Sequence, residues 1–185
     1  QADMYLYTVE TLARFGYFQY EISNFAKKGF ESKHNLKYWR LEDYAGFGAS
    51  AASNIGGIRY TYVSSPAEYI DAVENGGEII ADFEELSSYD RASEYLMLGL
   101  RTTYGISAEE YCSIYRCSFE PIDELFRSYA DKGWAKFVYG RWSFTPKGFL
   151  LSNRLIGEVL DTMADHKLTV GSPWMRGDYY QSLFE

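Results

Sequence analysis

Cysteine is scarce in this 185-residue chain, with only Cys112 and Cys117. That excludes a fold scaffolded by disulfides and fits a reducing compartment. Histidine is as scarce, with His34 and His166 alone. A zinc site made only of Cys and His would need all four of these residues together, and their spacing does not suggest it. Basic residues are outnumbered 18 to 26, for a net charge of −8. Such a chain is not expected to bind nucleic acid, because phosphate contacts need clustered Lys and Arg. No apolar run approaches the roughly 20 residues that cross a bilayer, so no integral membrane segment is expected. The start, Gln1-Ala2-Asp3-Met4-Tyr5, lacks the basic and apolar regions of a secretory leader, and a cytoplasmic location is expected. What is abundant is aromatic: 18 Tyr, 12 Phe and 4 Trp. Most of these belong in a core, and some could form a flat, stackable pocket wall.

Along the chain, Tyr5, Val9, Leu12 and Ala13 follow helical spacing, and Gly16 is the expected stop. Tyr17–Ile22 reads as a short aromatic strand. A helix feeding a strand across a tight turn needs further strands beside it. Few are available, so the chain is expected to be part of a longer protein. Residues 23–43 read as irregular. The small-residue run from Tyr44 to Ser53 allows close backbone approach. Gly56-Gly57 turns into an alternating strand, Ile58–Val63, and Ser65-Pro66 opens a helix that Asn75-Gly76-Gly77 closes.

After about residue 80 the pattern changes. Ser87–Asp90 and Ser107–Glu110 read as capping boxes at the heads of two helices. Pro121 starts a third, with Ile122, Leu125, Phe126 and Tyr129 inward and Gly133 at its end. Tyr139-Gly140 suits the turn of a hairpin, and Thr145-Pro146 caps a final helix carrying Phe149, Ile156 and Leu160. The order of three helices, a hairpin and a helix predicts a winged-helix-like unit over about residues 82–162. Residues 163–185 form a tail of unknown role.

The richest stretch for chemistry is His34-Asn35-Leu36-Lys37-Tyr38-Trp39, with Lys27, Lys28, Lys33 and Arg40 around it. It would suit a flat, anionic aromatic ligand: rings to stack, lysines to meet carboxylates, and an imidazole for a metal at the centre. From the residues alone a hydrogen-bonded structural histidine in a solvated loop is the favoured reading. Gly46-Phe47-Gly48-Ala49-Ser50 lacks the strand–turn–helix context of a dinucleotide fingerprint, and tight strand packing is expected there. Glu21 is read as a loop anchor before a proton-transfer group. Cys112 and Cys117, five apart, read as buried structural thiols. Lys136, Arg141, Lys147 and Arg154 on the wing unit are offset by many acidic residues, so packing is favoured over DNA recognition.

Tyr20-Glu21-Ile22-Ser23-Asn24-Phe25-Ala26, His34-Asn35-Leu36-Lys37-Tyr38-Trp39-Arg40 and Gly46-Phe47-Gly48-Ala49-Ser50 resemble consecutive motifs of one family, in its order. It is the HemW-type haem-chaperone branch of the oxygen-independent coproporphyrinogen III oxidase superfamily of radical S-adenosylmethionine proteins. Asp90-Arg91 with Leu96–Arg101 resembles the opening of that family's C-terminal domain. The resemblance implies an α+β fold. Residues 1–80 would be the C-terminal part of a partial TIM-like barrel, and residues 81–162 a winged-helix-like domain. It implies haem or a porphyrin as ligand, with a haem-accepting protein as partner and His34, Tyr38 and Trp39 as haem-binding residues. It also implies a [4Fe–4S] cluster and S-adenosylmethionine in the parent, with Gly46, Gly48 and Ala52 beside the cofactor. Ala52 departs from the His that many relatives of this branch carry there. The three-cysteine cluster motif is absent from this sequence, so the chain alone is not expected to hold the cluster or to start radical chemistry. Two other functions remain open at this stage: oxidative decarboxylation of coproporphyrinogen III, and a non-catalytic winged-helix regulatory module.

Overall fold

The structure, a computed structural model, describes residues 1–170. It is an α+β arrangement whose contacts divide into two compact units. One joins Gln1–Leu41 with the chain from Ala92 onward, and the other is Glu42–Arg91. The expected border at residue 80 does not coincide with this division.

Helix α1 (Ala2–Arg14) follows the predicted spacing, and Gly16, at φ +80°, turns the chain out of it. The strand expected over 17–22 is much shorter. Only β1 (Phe18–Gln19) forms, paired antiparallel with β2 (Phe25–Ala26). Beyond it the backbone pairs elsewhere: Ile22 N–H donates to Arg101 O at 2.8 Å and Thr103 N–H to Tyr20 O at 3.1 Å. That ladder, centred on the Glu21–Thr102 bridge, ties residues 1–41 to the C-terminal elements. The segment expected to be irregular contains a helix, α2 (Lys33–Trp39), capped by the Ser32 hydroxyl, which accepts from Asn35 N–H.

The second unit is a meander. β3 (Ala52–Ile55) and β4 (Ile58–Tyr62) meet across Gly56-Gly57, both at positive φ as a two-residue type I′ hairpin turn requires. Ser65 caps α3 (Pro66–Asn75), and Gly76 ends it in the left-handed region. β5 (Ile80–Glu85), which its acidic, irregular alternation did not announce, pairs antiparallel with β4. Ser87 and Asp90 form the predicted capping box: Ser87 Oγ accepts from Asp90 N–H at 3.2 Å and Asp90 Oδ2 from Ser87 N–H at 3.3 Å.

That box opens α4 (Ser88–Gly99), whose residues from Ala92 belong to the first unit. There β6 (Ile106–Ser107), α5 (Ala108–Tyr115), α6 (Glu120–Asp131), β7 (Ala135–Val138) and β8 (Arg141–Phe144) follow. The sheet order is β6-β8-β7, all antiparallel. The predicted hairpin forms, with Tyr139 and Gly140 at φ 51° and 77°. The single helix expected after Thr145 is instead two, α7 (Pro146–Phe149) and α8 (Ser152–Val170). A Cβ on Gly148 would lie 2.0 Å from Trp134 O, so α7 is wedged against the strand-entry backbone, and the chain restarts at Ser152. Residues 163–170 of the expected tail therefore continue a helix, and the rest of it lies outside the described residues.

The core of this unit gathers Leu96, Leu100, Ile106, Tyr111, Ile122, Phe126, Tyr129, Phe144, Leu155 and Val159, each almost wholly buried. Phe126 sits at its centre, with the Trp142 and Phe144 rings stacked on it at 5.5 and 5.8 Å. Burial of this many large apolar side chains, at about 25 cal/mol per Å² of apolar surface, is the main stabilising contribution.

Candidate functional site

α2 brings His34 and Tyr38 together. The two lie one turn apart on the same helix face. Their rings meet edge-on with centroids 5.1 Å apart, and the Tyr38 hydroxyl lies 3.3 Å from His34 Nε2. Both side chains are exposed, as are Lys33, Lys37 and Arg40, whereas Asn35, Leu36 and Trp39 are half-buried. The helix thus packs one side and presents the other, and Trp39 lies on the packed side. Below its end, the Arg40 guanidinium stands 5.5 Å from the centre of the Tyr104 ring. An exposed imidazole with its Nε2 reached by a phenol can serve as a metal ligand or a hydrogen-bond partner.

Gly46, Gly48 and Ala52 lie in the other unit. There the backbone is tight. A Cβ on Gly46 would lie 2.4 Å from Ala52 O, and Gly46 N–H donates to the buried Ser53 hydroxyl at 3.0 Å. Gly48, at φ +101°, has open space where a Cβ would go. Gly46 and Ala52 are thus brought together by strand packing. Beside them Asn54 is buried, and its Oδ1 has no hydrogen-bond partner.

Glu21 is the loop anchor expected: it is buried, and its Oε1 accepts from Ser23 N–H at 3.2 Å. The cysteines divide. Cys117 is buried, its thiol donates to Tyr115 O at 2.9 Å, and burial pushes its pKa up to about 11. Cys112 is exposed, contrary to the expectation of two buried thiols, because it lies on the outer face of α5. A [4Fe–4S] cluster is held by cysteine thiolates, and two cysteines of such unlike environment do not fit one. Among the described residues no group of three or more His, Cys, Asp or Glu could hold a metal ion.

The second expected capping box is only half formed, and its other half is a cluster that sequence spacing missed. Ser107 Oγ accepts from Glu110 N–H, as predicted, at 3.4 Å. The Glu110 carboxylate turns away from Ser107. It accepts from the Tyr95 hydroxyl at 2.7 Å and from Arg141 Nη2 at 2.9 Å. Ser107 N–H donates to Tyr95 Oη instead, at 2.8 Å. The Arg141 guanidinium also donates to Tyr104 O and Gly105 O and lies 3.8 Å from the centre of the Tyr104 ring. Its hydrogen bond holds the Glu110 carboxyl below the usual carboxylate range, and burial pushes the Tyr95 phenol up. This arrangement is structural: Arg141 is neutralised internally, as is Arg154 by Glu158 at 3.1 Å. Of Lys136, Arg141, Lys147 and Arg154, two are therefore already paired.

No protein-family model matches the chain. Individual relatives do. The haem chaperone HemW of Bacillus subtilis is 37% identical over 161 residues, and that of Lactococcus lactis 38% over 167 residues. Each match takes in 86% of this chain and 42% of the relative, so the chain spans about two fifths of the length of these curated relatives. Among solved structures, the radical SAM enzyme coproporphyrinogen III oxidase (HemN) from Escherichia coli superposes with a TM-score of 0.60 at 19% identity, over 87% of this chain and 41% of that one. That likeness is one of fold. With relatives of this identity across most of its length, the chain is similar to the HemW haem chaperones over about two fifths of their length.

Proposed function

We propose that the chain is the carboxy-terminal part of a haem chaperone, which binds haem without turning it over and hands it to a haem-accepting protein in the cytoplasm. The observation that carries the proposal is the exposed pair of His34 and Tyr38 on α2, in a chain whose relatives are named for haem delivery. In this reading His34 would hold the haem iron. Tyr38 positions its ring, and Trp39 supports the helix from the packed side. Coordination to iron through Nε2 would replace the contact with the Tyr38 hydroxyl, which then turns to solvent or to the porphyrin edge.

Residues 1–80 correspond, by the order of their motifs, to the end of a partial TIM-like barrel. Residues 81–162 correspond to a winged-helix-like domain with β7–β8 as the wing. This is a division by family motif, whereas the contacts divide at 41/42 and 91/92. The cluster and S-adenosylmethionine of the parent would be held by residues outside this chain, with Gly46, Gly48 and Ala52 lending close backbone approach.

Ferric haem titrated into the chain tests the proposal. A saturable shift of the Soret band that is lost in His34→Ala supports it. Equal spectra and affinities for the two proteins refute the assignment of His34. Conversion of coproporphyrinogen III by the parent under anaerobic conditions, without haem binding, would favour the oxidase instead.

A further inference from the structure

α2 presents two parallel stripes to solvent. Lys33, Lys37 and Arg40 fall at i, i+4 and i+7, and His34 and Tyr38 at i and i+4 on the adjoining face. These five are the exposed side chains of the segment from Lys33 to Arg40. Lys27–Arg40 holds five of the chain's 18 basic side chains and one of its 26 acidic ones. Positive charge is therefore concentrated around the histidine in a chain that is otherwise strongly acidic. Neither Lys33 nor Lys37 pairs with a carboxylate among the described residues, unlike Arg141 and Arg154. The first turn of α2 contains no acidic residue and begins with Lys33, although helix dipoles favour the reverse. A local charge choice that helix stability does not explain points to an external partner.

We infer that this stripe is the carboxylate subsite of the haem site, with Lys33 and Lys37 meeting the two propionates of a porphyrin whose metal faces His34. The inference rests on the reading of His34 and Tyr38 as a haem site and adds a specificity to it. The helix selects flat tetrapyrroles that carry free carboxylates on one edge. A lysine is a flexible point charge, suited to two propionates that can each swing, and an exposed pair of this kind also allows release.

The test is a two-by-two titration, with binding followed at the Soret band in the same dilute detergent. Wild-type chain and the double variant Lys33→Gln/Lys37→Gln are each titrated with ferric haem and with its dimethyl ester. Exposed charge pairs are worth up to about fivefold each. The wild type is therefore expected to bind haem about three- to tenfold more tightly than the ester, and the double variant to bind both alike. His34→Ala supplies the separate control for the haem site itself. If the ester binds the wild type as tightly as haem while the Soret shift still depends on His34, the carboxylate subsite is wrong and the haem site stands. If the double variant loses affinity equally for both ligands, the lysines do not read carboxylates. If neither ligand gives a His34-dependent shift, both readings fall together. All three substituted residues are exposed, so the variants are expected to keep the fold, which far-UV circular dichroism checks.

Discussion

Glu110→Gln is expected to destabilise the C-terminal unit through Arg141 and not through helix capping. The Arg141 side chain is 14% exposed and that of Glu110 41%. Removing the carboxylate charge leaves a largely buried guanidinium with the Tyr104 and Gly105 carbonyls, the Tyr104 ring and a neutral amide oxygen in place of an anion. Breaking a fully buried pair costs about 3–5 kcal/mol, and exposed pairs are worth about 0–1 kcal/mol. With one partner buried and the other partly solvated, the expected cost is about 1–2 kcal/mol. The assay is urea unfolding followed by tryptophan fluorescence, in a cycle with Arg141→Met. Coupling of about 1 kcal/mol or more between the two substitutions supports the network. Additivity within about 0.3 kcal/mol would refute it and restore the capping-box reading of Ser107–Glu110. The pH dependence carries a sign. The Glu110 carboxyl lies below its usual range in the fold, first because Arg141 hydrogen-bonds it. Its stabilisation is present above the unfolded-state pKa and is lost as pH falls through the folded value. Glu110→Gln should therefore flatten the acid limb of the stability profile.

Other consequences can be checked separately. Cys112 should react with a thiol reagent at pH 8 within minutes. Cys117, buried with its pKa pushed up to about 11, should react only on unfolding; equal rates in the folded protein would refute its burial. Gly105→Ala should unfold or severely destabilise the chain, since φ is +70° and a Cβ would sit 1.9 Å from Trp142 O. Gly157→Ala meets nothing within 4 Å inside α8 and should raise stability by about 0.5–1 kcal/mol, with thermal melts distinguishing the two. Phe126→Ala should cost about 3–5 kcal/mol, because its ring is wholly buried between Trp142 and Phe144; a loss below about 1 kcal/mol would contradict its central place.

Elements with local chemistry at their ends were legible in the sequence. Ser65-Pro66 and Gly76 bracket α3, and Tyr139-Gly140 makes the β7–β8 hairpin, because caps and primed turns depend on neighbouring residues alone. α2 was not legible. Its cap, Ser32, is followed by a lysine and lacks an acidic partner at the third position, and its packed side is only half-buried, so neither capping box nor strong apolar periodicity marked it. β5 escaped because Asp82, Glu84 and Glu85 leave it without a buried face. β6 and the break between α7 and α8 are set by distant backbone, at Trp142 and at Trp134. At the candidate site, His34, Tyr38 and Trp39 were picked out as residue types and by family motif. The helical spacing that pairs the first two and turns the third inward appeared only with the fold.

The most direct test of histidine-held haem is electron paramagnetic resonance of the ferric haem complex prepared with 15N-histidine. Nitrogen coupling to the iron that changes with the isotope and disappears in His34→Ala is the predicted result. A spectrum indifferent to both label and substitution would contradict it.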